Sequence, residues 1–279
     1  MKISCIALDL DRTTLDSNGR LSADNRKAIE AAIEQGIHVV IASGRALTSL
    51  PSDVLAMPGI RYAITSNGAA VYDLHTGECL KQYKLTAESA EHILKLTGGR
   101  EVAYEAFIDG HPYAQKEYVA DPVRFGALPK AIPYIQSTRR PVEDMQSFLK
   151  EHIKELDCLD LVVKNEEIKC QIRNELEQKV SDIYVTSSVE QLLEISYKDC
   201  GKHSGAKVIL EHLGLEREQL AAFGDADNDA DLLAFAGLGI AMANASKKCR
   251  EAADWVTFSN DENGVAYGIR HRILSDASV

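Results

Sequence analysis

Residues 3–8 form an apolar run bounded by charge, the pattern of a strand covered on both faces in a parallel sheet. It runs into Asp9-Leu10-Asp11, and Asn18-Gly19 then marks a hairpin turn. Ser22 is placed to cap a helix over residues 23–35, with Ala28, Ile29, Ala32 and Ile33 at helical spacing and Gly36 as its stop. Residues 38–42 read as a second buried strand. Near the other end, helix-length and strand-length patterns alternate again over 206–213, 220–223, 229–236, 239–241, 246–253 and 255–258. Such alternation predicts an α/β class, a doubly wound and mainly parallel sheet of Rossmann-like type.

The middle is patterned differently. Residues 87–97 read as a helix, and 102–108 with 113–118 as an extended pair around Asp109-Gly110. A stretch containing Pro122, Pro129, Pro133 and Pro141 follows, then helices near 142–156 and 166–178 and strands at 159–163 and 182–186. This predicts a separate α+β domain over residues 84–190, inserted into an α/β core made of residues 1–83 and 191–279.

Composition narrows the classes. With Lys+Arg 31 against Asp+Glu 42, the formal net charge of −11 disfavours a nucleic-acid-binding surface, because phosphate backbones are gripped by excess cationic side chains. The longest uncharged stretch, residues 232–246, is too short to span a bilayer and is interrupted by Gly237 and Gly239, so no membrane partner is expected. MKISCIALDLD does not read as a secretion signal. The six cysteines show no C-x-x-C spacing and suit reduced thiols in a cytoplasmic protein.

Open α/β sheets bind ligands at the carboxyl ends of their strands, which singles out four places. Asp9 and Asp11 leave the first strand two residues apart. Ser43-Gly44-Arg45 follows the second strand and offers a hydroxyl, an N–H and a guanidinium to an oxyanion. Lys202 precedes a helix expected to start near His203. Gly224-Asp225-Ala226-Asp227-Asn228-Asp229 crowds three carboxylates and an amide into a strand-to-helix turn. Like-charge repulsion there favours a bound cation, and oxygen-only ligands favour a hard ion such as Mg²⁺.

In this order, the four places resemble the haloacid dehalogenase (HAD) superfamily, specifically its Cof-type phosphatases with a C2B cap. DLDRTTL is similar to the D-x-D-x-T-x-L motif, Ser43 to the second motif, Lys202 to the third and GDADND to G-D-x-x-N-D. Ser66-Asn67-Gly68-Ala69 resembles the family's N-G-A turn, residues 241–245 its A-M-x-N-A segment and residues 263–266 its N-G-V-A. Arg12 stands where the family commonly has glycine, and His203 where a glycine usually follows the lysine.

The resemblance implies a Mg²⁺-dependent phosphomonoesterase acting on small phosphorylated metabolites, such as sugar phosphates or phosphorylated cofactors. Asp9 would be the nucleophile, forming an aspartyl-phosphate, and Asp11 the general acid and base. Mg²⁺ would be held by Asp9, the carbonyl of Asp11, Asp225 and Asp229, with Asp229 direct or through water. Ser43, Lys202 and Asn228 would bind the phosphoryl oxygens. Thr13 supports the nucleophile loop, Arg45 is a secondary candidate, and Asp227 reads as solvated turn. A phosphomutase is the alternative on the same fold. A DxD glycosyltransferase leaves Lys202 and GDADND unexplained, and a receiver-like module does not suit the size and the insertion. In the inserted domain, Phe107 reads as core, His111 as loop, and Lys164 and Lys169 as solvated helix charges, so none is assigned to a site.

Overall fold

The computed structural model describes residues 2–274. Five strands come first: β1 (Cys5–Leu8), β2 (His38–Ala42), β3 (Ile60–Thr65), β4 (Ala70–Asp73) and β5 (Glu78–Gln82). Six follow: β6 (Val102–Ile108), β7 (His111–Gln115), β8 (Arg140–Val142), β9 (Cys158–Val163), β10 (Ile183–Thr186) and β11 (Leu192–Tyr197). β12 (Leu220–Gly224), β13 (Leu238–Ala241) and β14 (Trp255–Val256) come last. They build an eight-stranded sheet, ordered β14-β13-β12-β1-β2-β3-β4-β5, and a six-stranded sheet, ordered β10-β11-β9-β6-β7-β8. The fold is α/β with an inserted α+β domain.

In the first sheet β14 through β3 run parallel and β4 returns antiparallel to β3. Every residue of β1 is buried, as its uninterrupted apolar sequence requires. Leu8 lies opposite both Ile41 of β2 and Phe223 of β12. The chain therefore leaves these three strands at one edge of the sheet, where Asp9, Ser43 and Asp225 follow. Cys5, Ala7, Val40 and Ala222 share a core with Ala206, Ile209 and Leu210 of helix Lys202–Leu213 and with Leu232 and Leu233 of helix Ala230–Phe235. Ser22 caps helix Ala23–Glu34 by accepting from the Asn25 N–H.

The second sheet is mixed, with β6, β9, β10 and β11 antiparallel and β7 parallel to β8. Asp109 and Gly110, at φ +49° and +75°, turn β6 into β7. One sheet face packs Tyr104, Leu159, Leu161 and Leu193 against Ile93 of helix Ala87–Thr97, Leu149 of helix Met145–Glu151 and Leu176 of helix Glu166–Lys179.

The chain divides into two compact units, and the division differs from the sequence boundary in three places. The second unit comprises Ala46–Ser49 and Gln82–Cys200, the first the remainder. Leu192–Tyr197, expected in the core, instead pairs with β9 and β10. Its alternate residues fill the second unit's core, which a boundary drawn from local pattern does not detect. Residues 46–49 join this unit because Ala46 packs with Phe107 and Cys158, and Thr48 donates its N–H and hydroxyl to the Gly110 carbonyl. Residues 116–118, expected as strand, begin helix Lys116–Ala120. The helix expected at 142–156 shortens to Met145–Glu151, capped by Asp144. No helix of the described residues is long and apolar enough to cross a membrane.

Candidate active site

Asp9 ends β1 and donates its backbone N–H to Phe223 of β12. The chain then makes one tight turn over Leu10–Thr14, with Arg12 at φ +61° and Thr14 Oγ1 donating to the Asp9 carbonyl at 2.5 Å. This turn places Thr13 Oγ1 on Asp225 Oδ1 at 3.1 Å. It is held from outside by Asn25, which donates to the Thr14 carbonyl, and by Asn260, which donates to the Leu15 carbonyl.

Gly224 allows the second acidic turn to form, since a Cβ there would lie 2.4 Å from Asp229 Cβ. Asp229 therefore folds back, and its Oδ2 accepts from the N–H groups of Asp225 and Ala226, each at 3.0 Å. Its Oδ1 accepts from Lys202 Nζ at 2.6 Å, and Lys202 also donates to Asp9 Oδ1 at 2.6 Å. Asp9, Asp225 and Asp229 are all buried, and each offers an oxygen within 4.8 Å of the other two.

Three buried carboxylates face one buried ammonium, and the electrostatics reflect it. Burial first, then the charge of Asp229, pushes Asp9 well above the usual carboxylate range, with Lys202 opposing. Asp225 is pushed up to about 7, again by burial and then Asp229, with Arg12 and Thr13 opposing. Arg12 Nε stands 3.8 Å from Asp225 Oδ2. Burial works against the charge on Lys202, yet Asp229 and Asp9 raise its pKa.

Asp11 does not join this group. It is half exposed and is held by Arg45 in a bidentate pair, Nε to Oδ2 at 2.8 Å and Nη2 to Oδ1 at 2.6 Å. Ser43 is buried after β2, its hydroxyl accepting the Arg45 N–H at 3.1 Å. Asn228 is buried and donates Nδ2 to Asn67 Oδ1 at 2.9 Å. Asp227 accepts from Ser246 Oγ, a turn contact. Helix Lys202–Leu213 starts at Lys202 itself, so the lysine stands in its first turn rather than before it. Among the second unit's candidates, Phe107 is core, while Lys169 is buried rather than solvated, its ammonium donating to the Glu190 carbonyl.

Four asparagines outside the predicted site hold its loops. Asn25, Asn67 and Asn260 fix the loops, and Asn244 Nδ2 donates to the Arg12 carbonyl at 2.9 Å. Asn67 and Asn244 lie in the N-G-A and A-M-x-N-A segments, whereas Asn25 sits in an ordinary helical first turn and carries no local signal.

A family model of haloacid dehalogenase-like hydrolases matches residues 6–269. A relative in Bacillus subtilis, the 5-amino-6-(5-phospho-D-ribitylamino)uracil phosphatase YwtE, is 30% identical across 96% of this chain and 97% of its own. Among solved structures, a haloacid dehalogenase-like hydrolase from B. subtilis is 26% identical with a TM-score of 0.81, covering 97% of this chain and 100% of that one. The HAD subclass IIB sugar phosphatase BT4131, at 20% identity, shares the fold with a TM-score of 0.81 over 97% of this chain and 98% of its own.

Proposed function

The chain belongs to the haloacid dehalogenase-like hydrolases and is a phosphatase of that family, and we propose that it hydrolyses small phosphorylated metabolites through an aspartyl-phosphate on Asp9 with Mg²⁺ as cofactor. The observation that carries this reading is the convergence of Asp9, Asp225, Asp229 and Lys202 at the carboxyl ends of adjacent strands.

The donor set fits a divalent cation. It is all oxygen, buried, and carries more negative charge than Lys202 offsets. Asp9, the Asp11 carbonyl and Asp225 are the proposed ligands. Asp229 has both oxygens engaged, by Lys202 and by two backbone N–H groups, so its contribution runs through water. When bound, the cation supplies charge compensation between the carboxylate nucleophile and the phosphoryl oxygens.

The chain's own groups carry the steps. Asp9 attacks phosphorus in line with the leaving oxygen, forming the acyl phosphate as the ester P–O bond breaks. Asp11, protonated and released from Arg45, passes its proton to that oxygen and then takes one from the water that attacks phosphorus and breaks the Asp9–phosphoryl bond. Lys202, Ser43 and Asn228 bind the phosphoryl oxygens and stabilise charge as it develops. Lys202 also holds Asp9 in a fixed rotamer. The inserted domain is assigned substrate selection, and free thiols at all six cysteines suit the cytoplasm.

The test is phosphate release from a panel of sugar phosphates and phosphorylated cofactors, with 5-amino-6-(5-phospho-D-ribitylamino)uracil included because relatives are named for it. Asp9→Asn is expected to lower kcat by on the order of 10⁴, and chelation to remove activity that Mg²⁺ restores. Turnover that survives either treatment overturns the mechanism.

A further inference from the structure

The segment Ser66–Gly68 holds three successive residues at positive φ, +47°, +54° and +87°. Asparagine is among the few L-residues that tolerate this region, and Asn67 occupies its centre while 2% exposed. Gly68 lies so close to Gly201 that a Cβ would stand 2.1 Å from the Gly201 carbonyl oxygen. The turn is thus pressed against the residue that precedes Lys202.

Three contacts of Asn67 each reach a different loop of the site. Its backbone N–H donates to the Ser43 carbonyl at 3.2 Å, and its carbonyl accepts from the Gly201 N–H at 2.9 Å. Its Oδ1 accepts from Asn228 Nδ2 at 2.9 Å. The buried Asn228 Oδ1 has no hydrogen-bond partner, so the Asn67 contact alone orients that amide. The three loops reached are those that carry Ser43, Lys202 and Asn228.

Resting on the phosphatase reading above, we propose that Asn67 is the positioning residue that sets these three phosphoryl-binding groups relative to one another. It touches no reacting atom. Two parts of the residue act: the left-handed backbone joins the Ser43 and Lys202 loops, and the side-chain oxygen aims Asn228. Donors that stabilise a transition state must be held to a fraction of an ångström, so the loss falls on kcat more than on KM.

Two substitutions separate the parts. Asn67→Gly keeps φ near +54° without strain and removes the side chain, Oδ1 with it. With p-nitrophenyl phosphate and Mg²⁺, it is expected to lower kcat about tenfold with KM within about threefold. Asn67→Ala strains the backbone too and is expected to lower kcat further. Asn228→Ala combined with Asn67→Gly is expected to cost no more than Asn228→Ala alone, because both remove one aimed amide.

A glycine variant with kcat within twofold of the parent, or a double variant whose losses multiply, overturns the side-chain role. Equal kcat in the glycine and alanine variants overturns the backbone role. Asp9→Asn in the same series keeps the two readings apart. Persistent turnover there sinks the phosphatase mechanism, whereas a dead Asp9→Asn beside an intact Asn67→Gly sinks only the Asn67 inference.

Discussion

Each unit buries a group of three carboxylates beside a buried cationic side chain, but the two groups are arranged differently. In the first, Asp9, Asp225 and Asp229 leave strand ends and loops, and their oxygens converge beside Lys202. In the second, Glu105, Asp160 and Glu194 stand directly opposite one another on β6, β9 and β11. Arg139 pairs bidentately with Glu105, both contacts at 2.9 Å. Among the described residues, only the first group brings three carboxylates within ligand distance of one another. Loops can aim side chains at a common point, whereas pleated strands hold theirs parallel at the interstrand spacing. A buried acidic row across a sheet is therefore a problem of charge rather than a metal site. The second unit offsets it with the arginine, while burial, then Glu194 and Glu105, push Asp160 well above the usual carboxylate range.

The sharpest way to break this comparison is to remove each group's cation. Arg139→Met leaves Glu105 fully buried and unpaired beside Asp160, and removing one partner of a buried pair costs about 3–5 kcal/mol. Arg139 also stacks over Tyr134 at 4.7 Å, a contact that methionine only partly replaces. Denaturant unfolding of the full chain is expected to show a loss of that size, largely recovered by Glu105→Leu/Arg139→Met. If Arg139→Met costs under about 1 kcal/mol, the second group is not held by its arginine.

These groups also differ in how far the sequence revealed them. Asp9, Ser43, Lys202 and Asp225 each directly follow a buried strand or open a helix, so local pattern and motif order locate them. The order of β1 beside β2 and β12 then brings them together as the α/β class requires. Glu105, Asp160 and Glu194 sit inside apolar runs more than thirty residues apart. Only strand register makes them neighbours, and register is not legible where local pattern places residues 192–197 in the other domain. The same blindness hid the Arg45–Asp11 pair and the reach of Asn67, both of which depend on which loops the sheet sets side by side.

A smaller effect, of opposite sign, concerns pH. Asp225 has its pKa raised to about 7 in the folded chain, above the unfolded carboxylate value of about 4. The folded state therefore holds a proton that the unfolded state gives up, and the stability this contributes is complete below pH 4 and lost as pH rises through 7. With chelator present, Asp225→Asn is expected to flatten that decline and stabilise the chain by on the order of 2 kcal/mol at pH 8, while abolishing turnover. Asp160→Asn is expected to flatten a second decline in the same direction. Mg²⁺ should stabilise the parent chain at pH 8 and leave the Asp160 part untouched. Thermal unfolding across pH 5–9 measures both, and an Asp225→Asn chain less stable than its parent at pH 8 would contradict the repulsion argument.

The smallest effect belongs to Arg12, the first group's outer cation, and its near-neutrality follows from three opposing contributions. At φ +61° an arginine carries about 1 kcal/mol of left-handed strain that glycine lacks. Against that, glycine loses about 0.5–1 kcal/mol more chain entropy on folding. The ion pair to Asp225, at 3.8 Å from a side chain 52% exposed, is worth no more than about 1 kcal/mol. Its carbonyl contact with Asn244 is made by the backbone and survives any substitution. Arg12→Gly is thus expected to move stability by less than about 1 kcal/mol in denaturant unfolding, against the several lost with Arg139. A cation on a solvated loop and one buried in a sheet differ mainly in what their removal strands. Asp225 retains Thr13 and Asn244, whereas Glu105 is left facing another acid, Asp160. If Arg12→Gly costs as much as Arg139→Met, that distinction fails.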